Sequence, residues 1–451
     1  MTNKPKENQI ISLPIHGLGA SGEGVGYFQG FTLFVDGALP GEVVEARITE
    51  CRKKHGFAEL ISITKPSPDR VTPPCPLFGK CGGCQLMHLA YPKQLEMKRQ
   101  KVVDALTRIG KIHDCMVAEI KPSPLSLSYR NKIQLPVKEG KNGLSIGLYA
   151  KASHDLIEVD TCLIHCELGE TVYKQIKSLI QNSGISPFDA KTGAGELRHV
   201  LIKSGVHTQE VLVVLVTNQK KSPALTSLAK EILKSNPAVK GIIHNIHQEK
   251  DNVILGDTYH VLEGKSHIRE ILCNLSFNIS AASFFQVNPL QAENLYLKAL
   301  EFADVKHEET VLDAYCGVGT LSLIFAKKAK KVIGVEYVNE AIEDAIENAK
   351  QNGIRNVSFF CAPAEKFIYE KHPPIDILLL NPPRKGCDSS FLEGVKDLNP
   401  KKIIYISCDP ATLARDLAQL QLSGYKIDQI QPFDMFPQTS HVECVAKLYR
   451  K

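Results

Sequence analysis

The chain has 451 residues, 43% of them hydrophobic and 23% charged, which excludes a disordered protein and leaves room for two or three domains with separate cores. Its 54 basic and 49 acidic residues leave a formal charge of +5, which permits a nucleic-acid partner without demanding one. The N-terminus is polar and the longest strongly apolar run, 211–216, is too short to span a bilayer, so no membrane partner and a cytoplasmic location are expected.

Between 10 and 65, short alternating strands are punctuated by glycine, and a small closed β-barrel is predicted. Its turn Phe34-Val35-Asp36-Gly37-Ala38-Leu39-Pro40-Gly41-Glu42 resembles the most distinctive turn of a TRAM domain, an OB-like barrel appended to RNA-modifying enzymes. The resemblance implies an RNA-binding module.

The chain carries 13 cysteines, and in a cytoplasmic protein clustered thiols read as metal ligands rather than as a disulfide framework. Cys75-Pro76-Leu77-Phe78-Gly79-Lys80-Cys81-Gly82-Gly83-Cys84 sets three of them on a loop able to wrap its sulfurs around one centre. Cys162 and Cys166 are the candidates for a fourth ligand. Four soft thiolates suit either a structural zinc or an iron–sulfur cluster. Apolar residues at helical spacing (Leu95, Val102, Val103, Leu106) predict a helix over 91–109. From 122 to 267, strands alternate with one or two helices, and Tyr129-Arg130-Asn131-Lys132 and Leu197-Arg198-His199-Val200-Leu201-Ile202-Lys203 set cations on strands, where they face either a phosphate backbone or solvent.

From Thr310 the text becomes a βαβ series. A strand ending at Asp313-Ala314 runs into Tyr315-Cys316-Gly317-Val318-Gly319-Thr320, and a second strand ends on Glu336. Glycines after the first strand let a ligand approach the backbone, and an acid about twenty residues on can accept from ribose hydroxyls. The third glycine of a dinucleotide fold, due near Leu321 or Ser322, is absent, and the pattern instead resembles the first two motifs of S-adenosylmethionine-dependent methyltransferases. A fourth strand delivers Asn381-Pro382-Pro383-Arg384 to the same sheet edge. Tyr405-Ile406-Ser407-Cys408-Asp409-Pro410 sets a cysteine between a strand and a helix, where helix N-terminal amides favour a thiolate. Cys408 is the candidate nucleophile.

Together with Phe284-Phe285-Gln286-Val287-Asn288 and His441-Val442-Glu443, these pieces resemble the RNA uracil-5-methyltransferase family over nearly the whole chain, in particular its large-subunit ribosomal RNA branch. The resemblance implies an α/β chain with an N-terminal OB-like barrel (1–66), a central α+β iron–sulfur domain (67–90 and 118–268) and a C-terminal Rossmann-like methyltransferase sheet (91–117 and 269–451). It further implies a [4Fe–4S] cluster on Cys75, Cys81, Cys84 and Cys162, and S-adenosylmethionine held by Gln286, Tyr315, Glu336 and Asn381. Cys408 would add to carbon-6 of a flipped uracil and Glu443 would later remove the carbon-5 proton, with Phe284 or Phe285 available to stack on the base. The implied partner is 23S rRNA and the expected state a monomer. The alternatives are a tRNA substrate or an inactive RNA-binding ribosome assembly factor.

One residue departs from the family: Asn381 stands where Asp is usual, which keeps the hydrogen-bonding shape and removes a charge. An amino methyltransferase would place an aromatic where Arg384 stands and has no use for Cys408. A radical methylthiotransferase would space its first two cysteines by three residues, whereas five lie between Cys75 and Cys81.

Overall fold

The computed structural model describes residues 4–140, 143–220, 222–249, 251 and 253–450. Strands Ile10–Leu18, Gly24–Phe28, Phe31–Val35, Val43–Cys51 and His55–Lys65 close into a barrel. Alternation turns Leu13, Leu33, Val44 and Ile48 inward to a core of their own. Glu42, in the turn singled out above, is fully buried. It pairs with Arg70 (Nε to Oε1 2.6 Å) while Arg70 also donates to Gly37 O at 2.7 Å, so this turn ties the barrel to the segment that follows it.

The central sheet runs in the order Thr258–Gly264, Val239–Ile246, Glu210–Thr217, Leu197–Gly205, Lys132–Gly140, Gly143–Tyr149, Leu156–Glu158. Helices Glu167–Asn182 and Pro223–Ser235 share a core with one face. The hairpin His267–Leu272/Leu275–Ser280 shares another with Leu201, Leu212, Val214 and Ile243. Covered on both sides, Glu210–Thr217 is buried at every residue, which is why 211–216 reads as an unbroken apolar run.

The long helix Tyr91–Ala105 leads to the third sheet, ordered Val357–Cys361, Lys331–Glu336, Thr310–Asp313, Ile377–Leu380, Lys402–Ser407, Glu443–Arg450, Tyr425–Phe433, Met116–Val117. The first five strands are parallel and Glu443–Arg450 enters antiparallel beside Lys402–Ser407. The order reverses at Thr310–Asp313, so a crevice opens outside the carboxyl ends of Thr310–Asp313 and Ile377–Leu380. Apolar cores cover both faces of this sheet. No described helix is long and apolar enough to cross a membrane.

Candidate active site

The loop 314–319 leaves Thr310–Asp313 and enters the helix Thr320–Ala326 through two left-handed glycines, Gly317 (φ 52°) and Gly319 (φ 81°). A Cβ built on Gly319 would meet Phe359 at 3.0 Å and Ala345 at 3.1 Å, whereas one on Gly317 would meet nothing within 4 Å. Gly319 is therefore small for packing, and Gly317 borders open space. Glu336, ending the neighbouring strand, accepts from Gly317 N (3.2 Å), Tyr337 N (2.9 Å) and Val338 N (3.1 Å), which fixes its carboxylate beside that space. These residues fit a ribose-bearing cofactor. Ser322, near the absent third glycine, donates to buried Asp313 Oδ2 at 2.7 Å, and burial lifts that carboxyl to about 6.

Tyr315 packs its ring 5.8 Å from that of Phe391 and reaches Cys387. Gln286 is buried beside Tyr296, itself in the core. Asn381, half-buried, follows Ile377–Leu380 directly.

Ser407 pairs with Cys444 across the antiparallel ladder, so Cys408, one residue after that pair, and Glu443, one residue before it, emerge at the same sheet edge. Glu443 is 3% exposed and burial pushes its carboxyl up to about 7, with Arg384 pulling the other way. It opens the strand Glu443–Arg450. The expected depression of the Cys408 thiol by helix amides is overturned: burial and then the Glu443 charge push it up, with Arg384 opposing both. The helix amides are also taken. The Asp409 side chain itself accepts from Ala411 N (2.9 Å) and Thr412 N (3.0 Å), so those amides serve the cap and not the sulfur.

Arg384 is the cation that faces this pair, a role the sequence pattern did not single out. The turn that carries it is anchored at a distance. Asp416 accepts from Tyr405 Oη (2.6 Å), Cys387 N (2.8 Å) and Arg415 Nε (2.8 Å), and Arg415 donates back to Lys385 O at 2.9 Å. His441 is pushed down to about 4, by burial first and by Arg384, Lys101 and Lys98 next, so it is neutral at neutral pH.

The structure brings Cys75, Cys81, Cys84 and Cys162 to the wall of one cavity of about 250 Å³, lined otherwise by apolar groups such as Phe78, Met87 and Ile164 and by the polar Arg130, Gln134 and His165. Cys166 is not in that wall; it is buried against Ser204. Burial pushes Cys84 up to about 12 and Cys162 up to about 11, and each thiol feels charge on neighbouring cysteines. Among the described residues, no three His, Cys, Asp or Glu side chains converge tightly enough for a single metal ion.

For RNA contact, the aromatic pair divides: Phe285 packs in the core against Phe277, while Phe284 is 67% exposed. The expectation that the central strands offer Arg198 and Lys203 to solvent or phosphate is corrected. Both are buried, Arg198 donating to His247 O and Glu249 O, Lys203 to the carbonyls of Ser280, Ala281 and Ser283, because this sheet is covered on both faces. On the barrel, Phe34, His55 and Phe57 form an outward aromatic group with the Arg52 guanidinium 4.9 Å from the Phe57 centroid.

A glycine-lined crevice at the switch point of the sheet, with a thiol and a buried carboxyl emerging at a strand edge, fits a group-transfer enzyme. The model of the tRNA (uracil-5-)-methyltransferase family matches residues 90–451 and that of the TRAM domain residues 4–61. An RNA methyltransferase of Clostridium tetani is 46% identical over 443 residues, covering 98% of this chain and 96% of its own. One from Halalkalibacterium halodurans is 43% identical over 448 residues, covering 99% and 98%. Among solved structures, the tRNA (uracil-54, C5)-methyltransferase of Pyrococcus abyssi, in complex with S-adenosyl-L-homocysteine, superposes with a TM-score of 0.78 at 30% identity, covering 97% of this chain and 99% of that one. The chain belongs to the uracil-5-methyltransferase family and is an S-adenosylmethionine-dependent RNA methyltransferase.

Proposed function

We propose that the protein methylates carbon-5 of a specific uridine in 23S rRNA through a covalent bond between Cys408 and carbon-6 of the base. We also propose the domain division 1–66, 67–90 with 118–268, and 91–117 with 269–451, within which residues 1–3, 141–142, 221, 250, 252 and 451 lie outside the described ones. The observation that carries the reading is the emergence of Cys408 and Glu443 at one sheet edge, with Arg384 facing both.

S-adenosylmethionine, when bound, supplies an electrophilic methyl group, and Gln286, Tyr315, Glu336 and Asn381 would hold it. Uracil carbon-5 is a poor nucleophile, so the Cys408 thiolate bonds to carbon-6 and the C5=C6 electron pair moves to carbon-5, which then takes the methyl group. Arg384 stabilises the thiolate on the way in and on the way out. Glu443 next takes the carbon-5 proton; the C–H pair re-forms C5=C6 and the carbon–sulfur bond breaks with its electrons returning to Cys408. Exposed Phe284 is the aromatic available to stack on the flipped base.

Cys75, Cys81, Cys84 and Cys162 would hold a [4Fe–4S] cluster with a structural role, since no step above moves a lone electron. The shared cavity supports this. The Pyrococcus neighbour favours tRNA as a second substrate reading. Methylation of 23S rRNA and of total tRNA transcripts with isotopically labelled S-adenosylmethionine, followed by nucleoside mapping, decides between them: label confined to tRNA overturns the ribosomal assignment.

A further inference from the structure

The segment 434–440, which leads from Tyr425–Phe433 to Glu443, is gripped by several parts of the molecule. Lys98 Nζ donates to Asp434 Oδ1 at 2.5 Å and to Phe436 O at 3.0 Å. Asn288 reaches Met435 O at 3.1 Å and the Tyr129 hydroxyl reaches Pro437 O at 3.1 Å. Lys101 Nζ joins Ser440 O to Ala20 O of the barrel, each at 2.9 Å.

Gln438 stands at the centre of this strap with all of its polar groups engaged. Its carbonyl accepts from Gln85 N (3.0 Å) and Leu86 N (2.9 Å), the two residues that follow Cys84. Its amide N–H donates to Gln94 Oε1 at 3.2 Å, its Oε1 accepts from Gln94 Nε2 at 3.0 Å, and its Nε2 donates to Ser126 O at 3.2 Å. It is also a buried glutamine with φ 68°. A side chain in that left-handed region is disfavoured, and such strain persists where the surroundings over-determine it and clusters beside functional sites.

We propose that Gln438 is a positioning residue for the reaction: by locking the strap to the cysteine loop, the long helix and the 126–129 segment, it holds the Glu443 carboxylate over carbon-5 of the target base. The proposal rests on the role assigned to Glu443 above. Cys408 hangs on Lys402–Ser407 and the helix Pro410–Leu422, which receive none of these hydrogen bonds. Loosening the strap therefore separates two stages of one reaction. Formation of the carbon–sulfur bond and methyl transfer continue, while removal of the carbon-5 proton and release of Cys408 slow down.

The test uses the full-length protein, a substrate RNA and S-adenosylmethionine, and follows the methylated protein–RNA adduct and the free product on denaturing gels. Gln438→Gly removes the side chain and relieves the left-handed backbone, and Gln94→Leu, which leaves residue 438 intact, is the second variant should the first not fold. Each is expected to form adduct at the wild-type rate and to release it between about 10- and 100-fold more slowly. The pH midpoint of release falls as Glu443 becomes hydrated, and the double variant is no slower than the worse single one. Equal slowing of formation and release with an unchanged midpoint would mark Gln438 as merely structural and overturn the proposal, as would release at the wild-type rate from a normal adduct. A wild-type protein that methylates RNA with no adduct at all would instead remove the covalent reading, and this proposal with it.

Discussion

Replacing Glu443 by glutamine keeps the size of the side chain and removes the group that takes the carbon-5 proton. Loss of a positioned general base costs roughly 10²- to 10⁴-fold, so the methylated adduct of Glu443→Gln should decay at least about 100-fold more slowly than that of the wild type. The wild-type decay is expected to carry a pH signature. Burial sets the carboxyl near 7, and the charged or titratable groups facing it are Arg384, Cys408, Cys444 and Tyr296. Below that value Glu443 is a carboxylic acid and cannot accept a proton. About nine-tenths of it is ionised near pH 8 and about one-tenth near pH 6, so adduct decay should slow nearly tenfold between them. Because Cys408 is also pushed up, overall turnover mixes two titrations; decay of a preformed adduct isolates one. The assay is a single-turnover quench at a series of pH values. Decay independent of pH across that window, or a Glu443→Gln adduct that resolves at the wild-type rate, refutes the assignment.

Gly317→Ala directs a methyl group into the open space beside Glu336, and overpacking of about 1–3 kcal/mol predicts S-adenosylmethionine affinity weakened by roughly five- to 160-fold in calorimetric titration. Gly319→Ala collides with Phe359 and Ala345 instead and should register first as a lowered melting temperature. Cys84→Ser, purified anaerobically, should lose iron and acid-labile sulfide, whereas Cys166→Ser retains both; zinc without sulfide in the wild type would contradict the cluster. Lys98→Met strands Asp434 as an unpaired buried charge and should cost about 3–5 kcal/mol in urea unfolding, and an unfolding curve that does not move would contradict the buried pair.

Strand ends that meet the crevice were readable in the sequence because each is announced locally. An apolar run stops at Glu336, at Asn381 or before Cys408, and a Pro or Asp turn follows the last two. The barrel was readable for the same reason, its strands being short and marked by glycine. What was not readable depends on partners far away in the chain. Arg384 faces Cys408 because Asp416 and Arg415 anchor residues 385–387. Gln438 acquires its role from Gln85, Gln94 and Ser126, more than 300 residues earlier in the chain. The direction of the Cys408 shift follows from burial and the Glu443 charge, which only the fold brings about, while Asp409 takes the amides that the strand-to-helix pattern offers to the sulfur. Arg198 and Lys203 looked like a surface because their strand carries charges, and covering of the sheet on both sides is a tertiary fact. Likewise Phe284 and Phe285 are adjacent letters with opposite fates.

The measurement that tests the central claim most directly is mass spectrometry of the protein incubated with S-adenosylmethionine and RNA fragments containing 5-fluorouridine. Fluorine cannot leave carbon-5 as a cation, so the adduct persists. A methylated fluorouridine nucleotide on the peptide that holds Cys408, absent from Cys408→Ala, is the expected result. A methylated RNA with unmodified protein, or an adduct on another cysteine, would contradict it.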